Sequence, residues 1–352
     1  MVKIDYLIIG QGISGSFLSW NLIRAGKRVL VIDEYQPFSA SRVASGIINP
    51  VTGRRIVRTW MIDKLMPFAQ QAYEDFGEDL GVKVADNIDM LTFHTTQQMI
   101  NAWYERIEEG EDYLQHVRDT KEYEKFFEIA HGIGITAPCM LVSLQKLLPA
   151  WREKLIDSDS LIASPFDIKD CAVTNSGIVY KNIHTEKLIL CNGVSGFDNE
   201  YFNRLPYALS KGEAITVYIP GLPETVIYKQ GMNLVPLGDG LFWIGSSFEW
   251  EFEHDQPTAI FRARVEELLN NWLKIPYEMK EHKASIRPAS LERRPFVGLH
   301  PVYPSIGILN GMGTKGCSLA PYFSHEFAQN LLFHSSITPS ADINRFRNVL
   351  IK

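Results

Sequence analysis

The chain has 352 residues, 45% of them hydrophobic and 22% charged, and its formal net charge is −6. This length predicts about two domains, and the composition excludes a disordered, collagen-like or coiled-coil chain. The acidic balance disfavours wrapping of nucleic acid, although a local basic patch stays open. The 4 cysteines lie far apart without a C-x-x-C pair, and the 9 histidines form no H-x-x-x-H set. The sequence therefore predicts no metal site and favours a reducing, cytoplasmic setting.

An uncharged segment, Tyr6–Ile23, has 18 residues and reaches the lower length limit of a membrane span. Eight of these residues are Gly, Ser, Gln or Asn, and no small-residue signal-cleavage site follows. A strand followed by a buried helix explains the segment better than a membrane span or a signal peptide does.

The pattern of the first 32 residues predicts a β-α-β unit. Ile4–Ile9 is a short apolar strand, helical spacing of apolar residues continues to Gly26, and Arg28–Ile32 is a second apolar strand. This arrangement, with its tight first turn, is typical of dinucleotide-binding folds.

The later elements follow from periodicity and turn residues. Helices are predicted at Met61–Leu80, from an Asp255–Pro257 cap to Leu273, and at Ser318–Phe333. Strands are predicted at Gly177–Tyr180, Lys187–Leu190, Ile215–Ile219, Val226–Tyr228, Asn233–Pro236, Leu241–Gly245 and Ile306–Leu309. Because nucleotide-binding signals occur at both ends of the chain, we expect a second, mostly β domain inserted between them.

Gly10–Gly15 reads G-x-G-x-x-G between the first strand and the first helix. Gly10 permits the tight turn, Gly12 lets the backbone approach a pyrophosphate, and Gly15 lets helix and strand pack closely. Asp33 follows the second strand, 18 residues after Gly15, where its carboxylate can accept hydrogen bonds from ribose hydroxyls. Strand, helix, strand and acid in this order predict a dinucleotide site, with the pyrophosphate at the helix N-terminus.

With these residues the sequence resembles the FAD-dependent amine and amino-acid oxidases of the D-amino acid oxidase, glycine oxidase and sarcosine oxidase group. The resemblance is carried by four segments: Asp5–Asp33, Ser41–Gly46, Lys187–Gly193, and the stretch from Ile286 to Pro321. It implies an α/β fold in which a Rossmann-like FAD-binding domain carries an inserted substrate domain built on an antiparallel sheet. The FAD-binding domain would comprise residues 1–60, 140–205 and 285–352, and the substrate-binding or cap domain residues 61–139 and 206–284.

The resemblance and the glycine motif together assign a set of cofactor-binding residues. In chain order they are Gly10, Gly12, Ile13, Ser14, Gly15, Asp33, Glu34, Ser41, Arg42, Ser45, Gly46, Ile168, Asn192, Gly193, Gly313, Thr314, Lys315, Gly316, Cys317 and Ser318. The last six of these residues, Gly313 to Ser318, form a glycine-rich loop at the start of a helix. This loop would stabilise negative charge on the flavin pyrimidine. Lys315 could add a positive charge there, or be a solvated loop lysine.

Two arginines are candidates for holding a substrate carboxylate, which suits the planar guanidinium fork. Arg287 resembles the carboxylate-binding arginine of glycine oxidase-like enzymes. Arg58 resembles the substrate-contacting arginine of a sarcosine oxidase tract, in which Arg55 would lie near the flavin. For Arg287 and Arg58 the alternative is a surface or interdomain ion pair.

The sequence also departs from the family. Trp243 stands where sarcosine oxidases have a lysine that helps oxygen react, so a dehydrogenase is an alternative to an oxidase. Ser285 stands at the family's covalent flavin cysteine, so the resemblance implies non-covalent FAD. Tyr228 and Glu249 are predicted to lie where the second domain faces the flavin.

The expected reaction is oxidation of the C–N bond of an amino acid or secondary amine by hydride transfer to flavin N5, giving an imine that hydrolyses. The electron acceptor would be O2 or another molecule, and the oligomeric state stays open. One alternative is a flavin-dependent step on a glycine-type group of a larger substrate such as modified tRNA. The other is a non-catalytic binding protein that reuses the fold.

Overall fold

The computed structural model describes residues 2–53 and 55–351. The strands are β1 Val2–Ile9, β2 Val29–Ile32, β3 Ile47–Ile48, β4 Val51–Thr52, β5 Val57–Arg58, β6 Ala85–Phe93, β7 Leu114–His116, β8 Ile133–Val142, β9 Leu161–Ile162, β10 Cys171–Thr174, β11 Gly177–Tyr180, β12 Ile183–Leu190, β13 Ser210–Tyr218, β14 Val226–Gln230, β15 Met232–Gly238, β16 Leu241–Gly245, β17 Glu278–Arg287, β18 Phe296–Leu299 and β19 Ile306–Asn310. The α-helices are α1 Ile13–Arg24, α2 Ala40–Val43, α3 Ile62–Leu80, α4 Gln97–Glu108, α5 Lys121–Glu124, α6 Leu144–Asp157, α7 Ala259–Trp272, α8 Gly316–Phe333 and α9 Arg347–Leu350.

The first sheet is parallel at its centre, in the order β9-β2-β1-β12-β19. β18 runs antiparallel beside β19, and β10 and β11 form an antiparallel hairpin against the start of β12. Helices α1, α3, α6 and α8 pack together over one face of this sheet around a large apolar core. Because parallel strands end at the same edge, the turns after β1, β2, β12 and β19 converge there. The predicted Rossmann-like α/β fold is confirmed.

The second sheet has the order β17-β13-β16-β15-β14-β6-β8-β3, with β7 beside β8. Its pairings are antiparallel except that β14 runs parallel to β6. One face packs under α7 around Phe127 and Trp272. The opposite face carries Met90, Ile227, Val235 and Trp243. Trp243 Nε1 donates to the carbonyl of Val43 at 3.0 Å, so this face lies against the C-terminal end of α2.

Three local predictions are wrong in detail. Helix α7 is capped by Thr258, whose hydroxyl accepts from Phe261 N at 3.2 Å, and not by the predicted Asp255–Pro257. Helix α8 begins at Gly316, before the predicted Ser318, because the 3-10 turn Gly313–Lys315 runs directly into it. Tyr228 lies on the face under α7, where its hydroxyl donates to the carbonyl of Pro223, so it does not face the cofactor side.

The division into domains stays a prediction. In the structure β6, β7 and β8 join the second sheet, whereas α3 packs in the same core as α1 and α8. Across residues 2–53 and 55–351, no helix is long and apolar enough to cross a membrane. Within the same ranges, no cluster of three or more His, Cys, Asp or Glu residues could hold a metal ion.

Candidate functional site

The glycine-rich turn between β1 and α1 is built by close backbone approaches. Gly10 has φ +97°, and a Cβ there would lie 2.7 Å from the carbonyl oxygen of Cys191. A Cβ on Gly15 would lie 1.9 Å from the carbonyl oxygen of Gly10, so the helix can pack on the turn only with glycine. The N-cap residue Gly12 supplies no side-chain cap, and Ile13 N donates to Ser41 Oγ at 3.1 Å. The first turn of α1 therefore presents backbone N–H groups that an anion can take.

Asp33, at the end of β2, is tied to this turn. Its carboxylate accepts hydrogen bonds from Gln11 N at 2.9 Å and Tyr35 N at 3.0 Å. Arg152 of α6 donates to the same carboxylate at 2.6 Å, and Arg42 Nη2 lies 3.9 Å from it. The side chain is only 12% exposed. This is the predicted position for an acid that holds a ribose.

The Ser41–Gly46 segment packs beside the turn, as the sequence predicts. Arg42 donates to Gln11 Oε1 at 3.1 Å, and burial lowers the pKa of its guanidinium. Gly46 has φ +85°, and a Cβ there would lie 1.9 Å from the carbonyl oxygen of Val142. The segment is thus held between the first helix and the second sheet.

The turn after β12 closes the site from the other side. Asn310, at the end of β19, donates to the carbonyl of Gly193 at 2.7 Å. The Oδ1 atom of Asn192 is buried and has no hydrogen-bond partner among the described residues. A buried polar atom without a partner is costly, so this carboxamide fits a ligand that supplies a donor.

The loop before α8 brings a second helix N-terminus to the same place. Gly313 N donates to the carbonyl of Pro288 at 3.0 Å, and the N-cap residue Lys315 supplies no side-chain cap. A Cβ on Gly316 would lie 3.4 Å from Cγ2 of Ile13, so the N-termini of α1 and α8 are neighbours. Two neighbouring helix N-termini, neither capped by the side chain of its own N-cap residue, give a positive potential that suits a diphosphate and an electron-rich ring.

The other predicted cofactor residues have less specific positions. Ser14 is buried in α1, Ser45 is half-buried, and Glu34 and Thr314 are exposed. Ile168, in the 3-10 turn Ile168–Asp170, packs against the apolar core that includes Leu7 and Tyr180. Cys317 O accepts from Tyr73 at 2.8 Å, and Ser318 Oγ donates to Lys315 O at 3.1 Å. The geometry fits FAD, and each residue's contact with it stays a prediction.

The two predicted arginine anchors differ in what they already bind. Arg58 donates from Nε to both carboxylate oxygens of Glu111 at 3.0 and 3.1 Å, and it also pairs with Asp63 and Asp112. Arg58 therefore belongs to a surface ion-pair cluster, which was the predicted alternative to substrate binding. Arg55 is exposed nearby.

Arg287 is held differently, at the end of β17. It donates to the carbonyls of Lys211 at 3.4 Å and Ser247 at 3.2 Å, and its guanidinium lies over Gly212 and 5.4 Å from the ring centre of Phe248. Burial lowers the pKa of Arg287 to about 10. In the described part of the chain no carboxylate lies within ion-pair distance of its guanidinium, although the charge of Glu249 opposes the effect of burial on its pKa. It thus keeps capacity for an acidic ligand.

The second sheet contributes residues that sequence analysis missed. Lys229 of β14 lies on the same face as Trp243, and only strand pairing brings it to the site. Behind this face, the buried carboxylate of Glu213 accepts hydrogen bonds from Thr258 and His282 and forms an ion pair with Lys211. A single lysine in an apolar strand is the one sequence signal that could have marked Lys229. Ser285, expected at the covalent position, is buried in β17, and all four cysteines are free thiols.

Most of the chain matches a known protein family. The family model described as FAD dependent oxidoreductase matches residues 5–330. The tRNA 5-methylaminomethyl-2-thiouridine biosynthesis bifunctional protein MnmC of Acinetobacter baylyi is 23% identical over 344 residues, covering 93% of this chain and 52% of that protein. The chain therefore spans about half the length of that relative.

Two glycine oxidases match along most of their length. The enzyme of Pseudomonas aeruginosa is 23% identical over 350 residues, covering 90% of this chain and 91% of the relative. The solved glycine oxidase of Bacillus cereus has a TM-score of 0.81 at 16% identity, covering 99% of this chain and 98% of that one. The chain belongs to the family of FAD-dependent oxidoreductases, and FAD is its cofactor.

Proposed function

We propose that this protein oxidises the C–N bond of an amino acid or secondary amine. The observation that carries the proposal is the position of Arg287, one residue from Pro288, to which the cofactor loop is bonded. Its guanidinium is buried and donates only to carbonyl groups in the described chain, and the charge of Glu249 acts on it without forming an ion pair. A guanidinium fork in that position suits the carboxylate of an amino acid. Trp243, farther along the second sheet, would supply an apolar wall on the face that carries Met90 and Ile227.

Different residues would bind different parts of FAD. The N-terminus of α1 and Ser41 would bind the diphosphate, Asp33 the ribose, and the loop Gly313–Ser318 the electron-rich end of the ring. Bound FAD supplies the two-electron acceptor. The protein holds the substrate by its carboxylate and orients its α-carbon, and substrate binding with a neutral amine needs no general base. Non-covalent binding predicts that acid precipitation releases the flavin into the supernatant.

A second candidate is a step on a glycine-type group of a larger substrate such as modified tRNA. The similarity to the MnmC protein supports it, and the net charge of −6 argues against a polyanionic partner. A free amino acid that reduces the flavin, with no effect of added tRNA, would exclude this candidate. The choice between O2 and another electron acceptor, and a cytoplasmic location, stay proposals.

The test begins with the purified protein. A yellow protein with the flavin absorption band at about 450 nm would show that the cofactor is bound. Anaerobic mixing with amino acids and N-methyl amines should then bleach that band for one class of substrate. A yellow protein that no amine or amino acid bleaches would contradict the proposed reaction and favour the non-catalytic alternative.

A further inference from the structure

The face of the second sheet that looks toward the cofactor residues carries a lysine, Lys229. Alternation along β14 puts Ile227 and Lys229 on one face and Tyr228 on the other. Ile227 packs with Val235 and Trp243, and Trp243 donates a hydrogen bond to Val43, the last residue of α2. Lys229 is therefore directed toward the cofactor side of the sheet.

Lys229 has polar neighbours but no partner. The strand register sets it between Thr92 of β6 and Asn233 of β15. Thr92 Oγ1 and both ring nitrogens of His94 are buried without a hydrogen bond. Among residues 2–53 and 55–351, the side chain of Lys229 forms neither a hydrogen bond nor an ion pair, although its backbone is paired in the sheet. A partly buried ammonium of this kind is stable only if something neutralises it.

A second lysine reaches the same space from the cofactor loop. Lys315 Nζ lies 3.5 Å from Thr59 Oγ1 and has no carboxylate partner in the described chain. Burial and then the charge of Lys229 lower the pKa of Lys315 to about 8. Burial also lowers the pKa of Lys229. Thr59 Oγ1 donates to the carbonyl of Asn49 at 3.0 Å, and Asn49 Nδ2 donates to Met90 Sδ at 3.6 Å. Met90 pairs with Ile227 on the sheet face that carries Lys229, so these contacts bring Lys315 to the same face.

Among residues 2–53 and 55–351, no carboxylate forms an ion pair with either lysine or is a cause of its pKa shift. Cys139 of β8 is the titratable group that acts on both lysines, and burial raises its pKa to about 12, so it is a neutral thiol at pH 7. Asp89 acts on Cys139 and is exposed. Burial and the charge of Lys229 lower the pKa of His94 to about 4, so the imidazole is neutral as well.

We propose that Lys229 and Lys315 form one anion-binding subsite, and that the substrate is an amine carrying at least two acidic groups, one for this lysine pair and one for Arg287. The inference rests on the proposed function for the identity of the substrate. The two-lysine site stands on the geometry of the chain itself. A dicarboxylic amino acid or an N-carboxyalkyl amino acid has the required chemistry.

The test is calorimetric titration of the purified FAD-containing protein at pH 7 with acetate, malonate, succinate and glutarate. One of the dicarboxylates should bind at least about tenfold more tightly than acetate, since a second charge pair is formed. Lys229→Gln and Lys315→Gln should each reduce that preference to less than about threefold, whereas Lys229→Arg retains it. Lys121→Gln, which removes an exposed lysine, is the matched charge control.

Equal affinity for acetate and every dicarboxylate, or a preference unchanged in Lys229→Gln, would overturn the inference. If Lys229→Gln does not fold, Lys229→Met tests the same charge in an apolar side chain. Calorimetry measures binding and does not measure reduction of the flavin. Failure of the lysine subsite is therefore distinguishable from failure of the proposed function. A bleached flavin with no dicarboxylate preference would refute the lysine subsite alone.

Discussion

Asp33 Oδ2 accepts a hydrogen bond from the backbone N–H of Gln11 at 2.9 Å, so the acid at the end of β2 and the glycine-rich turn form one unit. The same carboxylate is held by Arg152 at 2.6 Å. An acid fixed in this way needs little reorganisation to accept ribose hydroxyls.

Replacing Asp33 with Ala should weaken FAD binding. Loss of charge-assisted hydrogen bonds of ~1.5–3 kcal/mol predicts a Kd for FAD that rises by one to two orders of magnitude. Titration of apoprotein with FAD, followed by flavin fluorescence, measures this directly. Glu34→Ala is the control, since Glu34 is the exposed neighbour. Unchanged affinity in Asp33→Ala together with a large loss in Glu34→Ala would reverse the assignment.

The two arginines can be separated by kinetics. Arg287→Lys should lower kcat/KM by about 2–5 kcal/mol, roughly 30-fold to several-thousand-fold, because an ammonium lacks the guanidinium fork. Arg58→Lys should change it less than about threefold, because Arg58 is already committed to Glu111 in an exposed cluster. Steady-state measurement of kcat/KM with the best substrate distinguishes the two arginines. A collapse of activity in Arg58→Lys with Arg287→Lys active would identify Arg58 as the anchor.

Binding of acidic ligands should depend on pH through Lys315. Only its protonated form binds an anion, and its pKa is lowered to about 8. We therefore expect dicarboxylate affinity to be constant below about pH 7 and to fall as pH rises through the pKa, which a bound anion shifts upward. Titrations from pH 6 to pH 10 measure the profile. An affinity that is flat across this range, or that rises with pH, would be inconsistent with a charged Lys315 in the site.

The buried carboxylate of Glu213 should be important for stability. It pairs with Lys211 at 3.3 Å and accepts from His282 at 2.8 Å, and Glu213 and Lys211 are at most 1% exposed. Glu213→Gln leaves Lys211 buried without a counter-charge, so the free energy of unfolding should fall by about 3–5 kcal/mol. Urea unfolding measures the change. Glu281→Gln, at a more exposed pair with Lys283, is the control and should change it by less than about 1 kcal/mol.

Local signals explain what the sequence could predict. The turn from Gly10 to Gly15 and the acid at Asp33 are specified by short-range sterics, so motif and structure agree. Long-range contacts explain what it could not predict. Arg152 is 119 residues from Asp33, and Glu111 is 53 residues from Arg58. Lys229 comes to the site only because β14 pairs in parallel with β6, a register that no local pattern encodes.

The cap of α7 shows the same limit at short range. Asp255 and Pro257 are typical of a helix start. Thr258 is the cap in the structure because Glu213, 45 residues away, accepts from both its backbone N–H and its hydroxyl and fixes its position. A tertiary contact therefore overrides a local preference.

Anaerobic reduction of the bound flavin tests the central claim most directly. The purified protein, free of oxygen, is mixed with a panel that includes monocarboxylic amino acids, dicarboxylic amino acids, N-carboxyalkyl amino acids and plain amines, and the flavin band is followed. We expect rapid bleaching by an amine that carries two acidic groups, and much slower bleaching by plain amines. Reduction by plain amines alone, or by no member of the panel, would contradict this claim.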